Sequence, residues 1–126
     1  MLIRPLMSFA LAASIGCLFA PQADANSRFT VENQTDQKFW VYIYRGDDNS
    51  CTYTEKTKTV SGGETDSYGC TGGGKNRCKV GIVFKKKYTV CNTMYNTCNG
   101  YAVKADNGAK ITIVDDVFEE YACTLD

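Results

Sequence analysis

Six of the seven cysteines in this chain lie after residue 50, and they constrain its fold more than any other feature. Short exported domains cannot bury a large apolar core, and an even number of cysteines in such a chain is typical of disulfides. Each bridge stabilises a small domain by about 2–4 kcal/mol. The sequence therefore predicts three disulfides, formed by Cys51, Cys70, Cys78, Cys91, Cys98 and Cys123.

A metal site is the alternative use of these cysteines. Structural zinc sites combine cysteine pairs of the CxxC type, often with histidine. In this chain seven residues separate the cysteines of segment 70–78, six separate those of segment 91–98, and there is no histidine. The spacing favours disulfides, and we expect neither a metal nor another cofactor.

The pairing of the cysteines is not fixed by their number, since six cysteines allow fifteen pairings. The segments 70–78 and 91–98 are rich in turn-forming residues, which bring chain ends within the roughly 4–7 Å between Cα atoms that a disulfide needs. We therefore expect two local bridges that close these segments and a third bridge between Cys51 and Cys123. Met94 and Tyr95 would then lie at the tip of a stapled loop, accessible to a partner.

Residues 1–25 have the composition of a secretory signal peptide. Arg4 precedes an apolar run over residues 6–20, and the sequence ADA at 23–25 offers a small-x-small cleavage site. We expect cleavage after this site, export to a secreted or periplasmic location, and a single β domain over residues 26–126. The alternative is lipid attachment at Cys17, which follows small residues at the end of the apolar run.

Short segments rich in β-branched and aromatic residues alternate with turn signals in the rest of the chain, and no window shows a helical apolar stripe. This pattern predicts an all-β fold, a small antiparallel β-sandwich or barrel of about eight short strands. The DNG sequence at 106–108 is typical of a tight hairpin. The predicted strands are 28–33, 38–44, 51–60, 64–70, 77–84, 88–92, 100–105, 109–114 and 117–123.

The segment KFWVYIY places aromatic side chains on both faces of one predicted strand. The two-residue period puts Phe39 and its alternate neighbours on one face, and Trp40, Tyr42 and Tyr44 on the other. A central strand covered on both sides explains this pattern. An exposed aromatic row that contacts a sugar or a protein partner is the alternative explanation.

Basic residues concentrate in the segment 67–105, which contains seven lysines and arginines and no acidic residue. Arg77 and Lys79 share one face of a predicted strand, Lys75 precedes it, and a lysine triplet follows it. These residues form a candidate basic patch for an anionic partner. Lysines at strand edges also protect a sheet from unwanted pairing, so a purely structural role stays open.

Catalysis is poorly supported by the side chains that the chain contains. The absence of histidine removes the commonest general base and the histidine-dependent nucleophiles. Six of the fourteen acidic residues form pairs of neighbours, at 47–48, 115–116 and 119–120. Adjacent residues on a strand point to opposite faces, so none of these pairs can flank one scissile bond alone. We therefore expect no catalytic residues.

These observations predict a secreted or periplasmic, non-enzymatic binding protein that engages another protein, as an inhibitor or immunity-type factor. A glycan-binding module that uses the aromatic row is the alternative, and a carboxylate-based hydrolase ranks below both. The chain carries no net charge, and its only long apolar run lies in the leader, so we expect neither a nucleic-acid partner nor a membrane span. The candidate partner-binding residues are Trp40, Tyr42, Tyr44, Lys75, Arg77, Lys79, Met94 and Tyr95.

Overall fold

The structure is a computed structural model that describes residues 27–70 and 77–126. The predicted signal peptide, Cys17 and Lys75 lie outside these residues. The described residues form nine strands with almost no helix, which confirms the all-β prediction. The strands are β1 (Arg28–Asn33), β2 (Phe39–Tyr44), β3 (Lys56–Val60), β4 (Thr65–Gly69), β5 (Arg77–Phe84), β6 (Tyr88–Thr89), β7 (Val103–Asp106), β8 (Lys110–Asp116) and β9 (Glu120–Leu125).

The strands form two sheets that pack as a sandwich. Sheet I has the strand order β4-β1-β8-β9, and sheet II has the order β3-β2-β5-β6, with β7 also paired to β5. Neighbouring strands are antiparallel except for β1 and β8, which run parallel with Val31 opposite Ile111. The fold is therefore the predicted sandwich with one parallel pair.

The core between the sheets is built from alternate residues of the strands. Phe29 and Val31 of β1 and Phe39 and Val41 of β2 are at most 1% exposed. The ring of Phe39 meets that of Tyr121 edge to face across the sandwich, with centroids 4.9 Å apart. Full burial of an aliphatic or phenylalanine side chain contributes about 1.5–3 kcal/mol, so these layers supply much of the stability.

A buried asparagine fixes the crossing from sheet I to sheet II. Asn33 is 1% exposed, and its amide nitrogen donates to the carbonyl oxygens of Gln37 at 2.6 Å and Val60 at 3.1 Å. Its side-chain oxygen accepts from the backbone N–H of Thr35 at 3.0 Å and from the Thr35 hydroxyl at 2.8 Å. The buried amide of Asn33 thus makes four hydrogen bonds inside the protein, two as donor and two as acceptor, which sets the position at which β2 begins.

The DNG turn forms where it was predicted, but it does not close a hairpin. The N–H of Ala109 donates to the carbonyl of Asp106 at 3.0 Å, and Gly108 has a φ of 86° that favours glycine. The strand before the turn pairs with β5 in sheet II, and the strand after it pairs with β1 and β9 in sheet I. The turn therefore passes the chain from one sheet to the other, which local turn chemistry does not reveal.

Three disulfides form, as predicted, but only one has the predicted partners. Cys70 pairs with Cys78 as predicted. The predicted bridges Cys91–Cys98 and Cys51–Cys123 are wrong. The observed pairs are Cys51–Cys98, Cys70–Cys78 and Cys91–Cys123. The Cys70–Cys78 and Cys91–Cys123 bridges each connect sheet I to sheet II.

The physical reason is that the ends of segment 91–98 face different regions of the molecule. Cys91 belongs to the core cluster between the sheets, while the sulfur of Cys98 lies 3.7 Å from the carbonyl oxygen of Asp48 in a loop outside sheet II. Between them, the Tyr95 hydroxyl accepts from the N–H of Ile82 at 2.7 Å and donates to its carbonyl at 2.9 Å. The segment therefore crosses the edge of sheet II instead of forming a loop.

Candidate binding sites

The predicted aromatic row lies on the outer face of sheet II. Trp40, Tyr42 and Tyr44 are half-buried, whereas the alternate residues Phe39, Val41 and Ile43 are fully buried in the core. The predicted assignment of the two faces is therefore confirmed. The row is neither fully covered nor fully exposed, because loops cover part of this face and leave the rest open.

Two loops cover the outer face, and a disulfide joins them. The first loop follows β2 and contains Cys51, and the second precedes β7 and contains Cys98. The carbonyl oxygen of Tyr101 in the second loop lies 3.1 Å from the position that a Cβ atom would take on Gly81. Gly81 lies opposite Tyr42 in the sheet, so the absence of a side chain at this strand position allows the loop to approach the aromatic row.

Lys79 holds the first loop from beneath. Its ammonium group donates to the carbonyl oxygen of Asp48 at 3.0 Å and to the side-chain oxygen of Asn49 at 2.9 Å. Lys79 is only 3% exposed, so its side chain is enclosed rather than part of an accessible basic patch. The expected exposure of Lys79 is therefore wrong. Its ammonium group donates its hydrogen bonds to a loop that covers the strand instead of facing solvent.

Asp48 organises the same loop through its carboxylate. The carboxylate accepts from the backbone N–H groups of Ser50 at 3.2 Å and Tyr53 at 3.3 Å. Burial raises the pKa of Asp48, but the N–H groups that surround the carboxylate lower it by more, so the pKa lies below its ordinary value. The ionised carboxylate is therefore the form that stabilises the loop.

The partly covered face contains a small cleft, which we call the tyrosine cleft. Its volume is about 180 Å³, and Ser50 and Thr89 contribute hydroxyl groups to its wall. No carboxylate lies among the described residues that line it. The main lining side chains are Tyr42, Tyr44, Val83, Lys86, Lys87 and Tyr101.

The hairpin between β5 and β6 brings Lys86 and Lys87 to this cleft. Lys85 and Lys86 have φ angles of 55° and 61°, and the N–H of Lys87 donates to the carbonyl of Phe84 at 3.1 Å. Such a turn favours asparagine and glycine, so lysine at both positions is unusual. The Lys86 ammonium lies 5.6 Å from the ring centroid of Trp40, within the range of a cation–π contact.

The remaining predicted contact residues have structural partners. Tyr95 is 9% exposed, which corrects the expectation that it lies at an accessible loop tip, and Met94 is half-buried against the core. Arg77 is exposed, and its Nε lies 3.1 Å from a carboxylate oxygen of Asp106 on the paired strand. Tyr42 and Tyr44 thus line the tyrosine cleft, whereas Met94, Tyr95 and Arg77 do not. Trp40 does not line it either, but its ring contacts Lys86, which does.

Among the described residues, the most exposed apolar side chains lie elsewhere, in the turn between β8 and β9. Val117 is 89% exposed and Phe118 is 92% exposed. The Asp116 carboxylate accepts from the N–H groups of Phe118 at 3.0 Å and Glu119 at 2.9 Å, which orders the turn. Together with the acidic residues on either side, we call this segment (residues 115–120) the valine-phenylalanine turn.

The sequence prediction missed this turn because its pattern was assigned to a strand, 117–123. The signal was the acidic sequence DDVFEE, in which four carboxylates flank two apolar residues. Buried strands rarely carry that many charges at their ends, and an apolar pair inside an acidic run marks an exposed apolar site instead.

Among residues 27–70 and 77–126, no group of three or more potential metal ligands converges, here or elsewhere.

Comparison with known proteins adds no relative: no family model, no curated protein and no solved structure matches the chain. Within the described part of the chain, no helix has the length and apolar character needed to cross a membrane.

Proposed function

We propose that this protein is an exported, non-enzymatic binding protein that engages another protein through the valine-phenylalanine turn. The observation that carries the proposal is the exposure of Phe118, which is 92% accessible in a turn that its neighbours hold in place. The partner would be a protein with an apolar pocket and a basic rim. An inhibitor or immunity-type factor that inserts this turn into a partner's pocket fits these features.

The energetic basis is the burial of two adjacent apolar side chains. Moving a phenylalanine side chain from water into an apolar pocket contributes about 1.5–3 kcal/mol, and aromatic side chains in pockets are common binding hot spots. Val117 adds to the same apolar surface, since it is 89% exposed. Two contiguous residues of this kind form a larger apolar patch than the isolated exposed side chains that most protein surfaces carry.

The order of the turn supports a role in binding. Asp116 accepts two backbone hydrogen bonds from the turn, and β8 and β9 pair directly up to the turn, with Asp116 opposite Glu120. A turn that is ordered before binding loses less conformational entropy on association. The side chain of Phe118 is therefore presented in a fixed position.

The charges around the turn define the chemistry of the partner. Four carboxylates surround the apolar pair, those of Asp115, Asp116, Glu119 and Glu120. None of them forms a salt bridge with a lysine or arginine among the described residues. Opposite charges on a partner increase the association rate and the specificity of binding. We therefore expect lysines or arginines around the partner's pocket, and slower association at high salt.

The disulfides support the exported location in this proposal. Three bridges are consistent with an oxidising compartment, where disulfides persist. They also fit the leader expected over residues 1–25. The partner would then be a protein of the same compartment or of the surface that faces it.

Affinity capture with the mature protein as bait tests the proposal. A stoichiometric protein partner should be captured from the extracellular or periplasmic fraction of the source cells, and titration calorimetry should then measure its affinity. The variant Phe118→Ser should bind about 10-fold to 100-fold more weakly, because the partner's pocket loses an aromatic side chain.

The matched control is Tyr53→Ser, which removes another aromatic side chain that is 76% exposed but lies in the loop after β2. This variant should bind with unchanged affinity. The proposal is wrong if no stoichiometric partner is captured, or if Phe118→Ser binds the captured partner as tightly as the unaltered protein does.

A further inference from the structure

We propose that the tyrosine cleft binds an acidic sugar residue, a pyranose ring that carries a carboxylate. This site lies on sheet II, whereas the valine-phenylalanine turn connects two strands of sheet I, so the two sites are independent. Clefts for drug-sized ligands measure about 300–1,000 Å³. The cleft here measures about 180 Å³, which limits the ligand to one ring or the end of a chain.

The tyrosines favour a ring that is apolar on its faces and polar on its edges. Tyr42, Tyr44 and Tyr101 each combine an aromatic surface with a hydroxyl group, which suits the C–H face and the hydroxyls of a pyranose. Within the described residues, no hydrogen bond engages the hydroxyls of Tyr42 and Tyr101. Tyr101 is 60% exposed, and its aromatic surface is accessible to a ligand that enters from solvent.

The lysines at the cleft favour a negatively charged sugar over a neutral one. Lys86 and Lys87 line the cleft and are exposed, and no lining carboxylate among the described residues neutralises them. The nearby Asp48 carboxylate is already engaged by backbone N–H groups of its own loop. A ligand carboxylate would therefore be the first anion to pair with these lysines, through charge-assisted hydrogen bonds.

The cleft is ordered before a ligand arrives. The Cys51–Cys98 disulfide joins the two loops that form its walls, and Lys79 fixes the first loop to the sheet. The second loop rests on Gly81, where any larger side chain would displace the Tyr101 carbonyl. Because these walls are fixed, little conformational entropy is lost on binding, which permits measurable affinity for a ligand as small as one sugar.

Two-dimensional NMR of the mature protein tests the proposal with methyl β-D-glucuronide as the probe. Titration should shift the amide signals of Gly81, Lys86 and Tyr101 saturably, and should change the fluorescence of Trp40, the single tryptophan of the chain. The neutral analogue methyl β-D-glucoside should bind at least about 10-fold more weakly, because it cannot pair with the lysines. Acetate supplies the carboxylate without the ring and should not saturate these signals.

Variants locate the site. Tyr101→Ala and the double variant Lys86→Gln, Lys87→Gln should each weaken glucuronide binding at least about 10-fold. The matched control is Lys56→Gln, Lys58→Gln, which removes two exposed lysines of β3 that line a different pocket and should leave binding unchanged.

Four results would overturn the proposal. The first is the absence of saturable shifts with methyl β-D-glucuronide at about 10 mM, which is ten times a Kd of about 1 mM. The second is equal binding of the glucoside, and the third is equal binding of acetate, which would reveal a simple anion site. The fourth is glucuronide binding that survives the cleft variants.

Discussion

The Tyr95 hydroxyl occupies a gap in sheet II, and its removal should destabilise the whole protein. The strand β6 contains only two residues, and β7 begins to pair with β5 at Val80, so the backbone of Ile82 between them lacks a complete strand partner. The Tyr95 hydroxyl accepts from the Ile82 N–H at 2.7 Å and donates to the Ile82 carbonyl at 2.9 Å. The variant Tyr95→Phe retains the ring and removes only these hydrogen bonds.

The expected loss follows from the accounting of buried polar groups. The Ile82 carbonyl also accepts from the N–H of Val90 at 2.9 Å and remains satisfied in the variant. The Ile82 N–H loses its acceptor at a fully buried position, which costs about 1–3 kcal/mol. In a domain of about 100 residues, each 1 kcal/mol corresponds to about 4–8 °C in melting temperature.

Thermal and urea unfolding measure this loss, with Tyr88→Phe as the control. Tyr88 is 59% exposed, and its substitution should change stability by less than about 0.5 kcal/mol. If Tyr95→Phe unfolds at the same temperature and urea concentration as the unaltered protein, the hydroxyl does not complete the sheet and the reasoning is refuted.

The pH dependence offers a second check on Tyr95. Burial raises the pKa of Tyr95 in the folded protein above the value near 10 of an unfolded chain. The stability from this group is therefore fully present below pH 10 and is lost as the pH rises further. Stability of Tyr95→Phe should accordingly fall less steeply above pH 10 than that of the unaltered protein.

Three further predictions concern the loops and the hairpin around the tyrosine cleft. Because the pKa of Asp48 is lowered in the folded protein, its stabilisation is fully present above pH 3.8 and is lost in more acidic solution. The free energy of unfolding of Asp48→Asn should therefore fall less below pH 3.8 than that of the unaltered protein, and an equal fall contradicts this. The double variant Cys51→Ser, Cys98→Ser removes a disulfide between residues 47 positions apart, and its free energy of unfolding in urea should fall by about 2–4 kcal/mol. Equal stability would contradict a stabilising role of this disulfide. The double variant Lys85→Asn, Lys86→Gly puts residues that favour a positive φ at two positions that require it, and it also removes the Lys86–Trp40 contact. It should gain about 1–2 kcal/mol in the same assay, whereas a loss would show that the lysine contacts outweigh the backbone strain.

The sequence predicted features that depend on local patterns. The period of two in β2 correctly placed Phe39 in the core and Trp40 on the opposite face, because alternation follows from strand geometry alone. The number of cysteines correctly predicted three disulfides. The DNG turn formed at the expected residues because glycine at position 108 satisfies a positive φ.

Features that depend on the arrangement of the sheets were not predictable in this way. The pairing of Cys91 and Cys98 with distant partners depends on a segment that crosses a sheet edge, and both local loop closure and the composition of the segment favoured the wrong pair. The enclosure of Lys79 depends on a loop 30 residues away in the chain. The exposure of Phe118 was missed because apolar residues in a strand-like pattern are usually buried.

Photo-crosslinking from position 118 tests most directly whether the valine-phenylalanine turn binds a protein. The mature protein carrying Phe118→p-benzoylphenylalanine, irradiated in the exported fraction of the source cells, should form one predominant adduct with one protein. The same photoreactive side chain introduced at Tyr53, which is also exposed, should not form this adduct. The absence of an adduct from position 118, or an identical set of adducts from both positions, would contradict the proposed function.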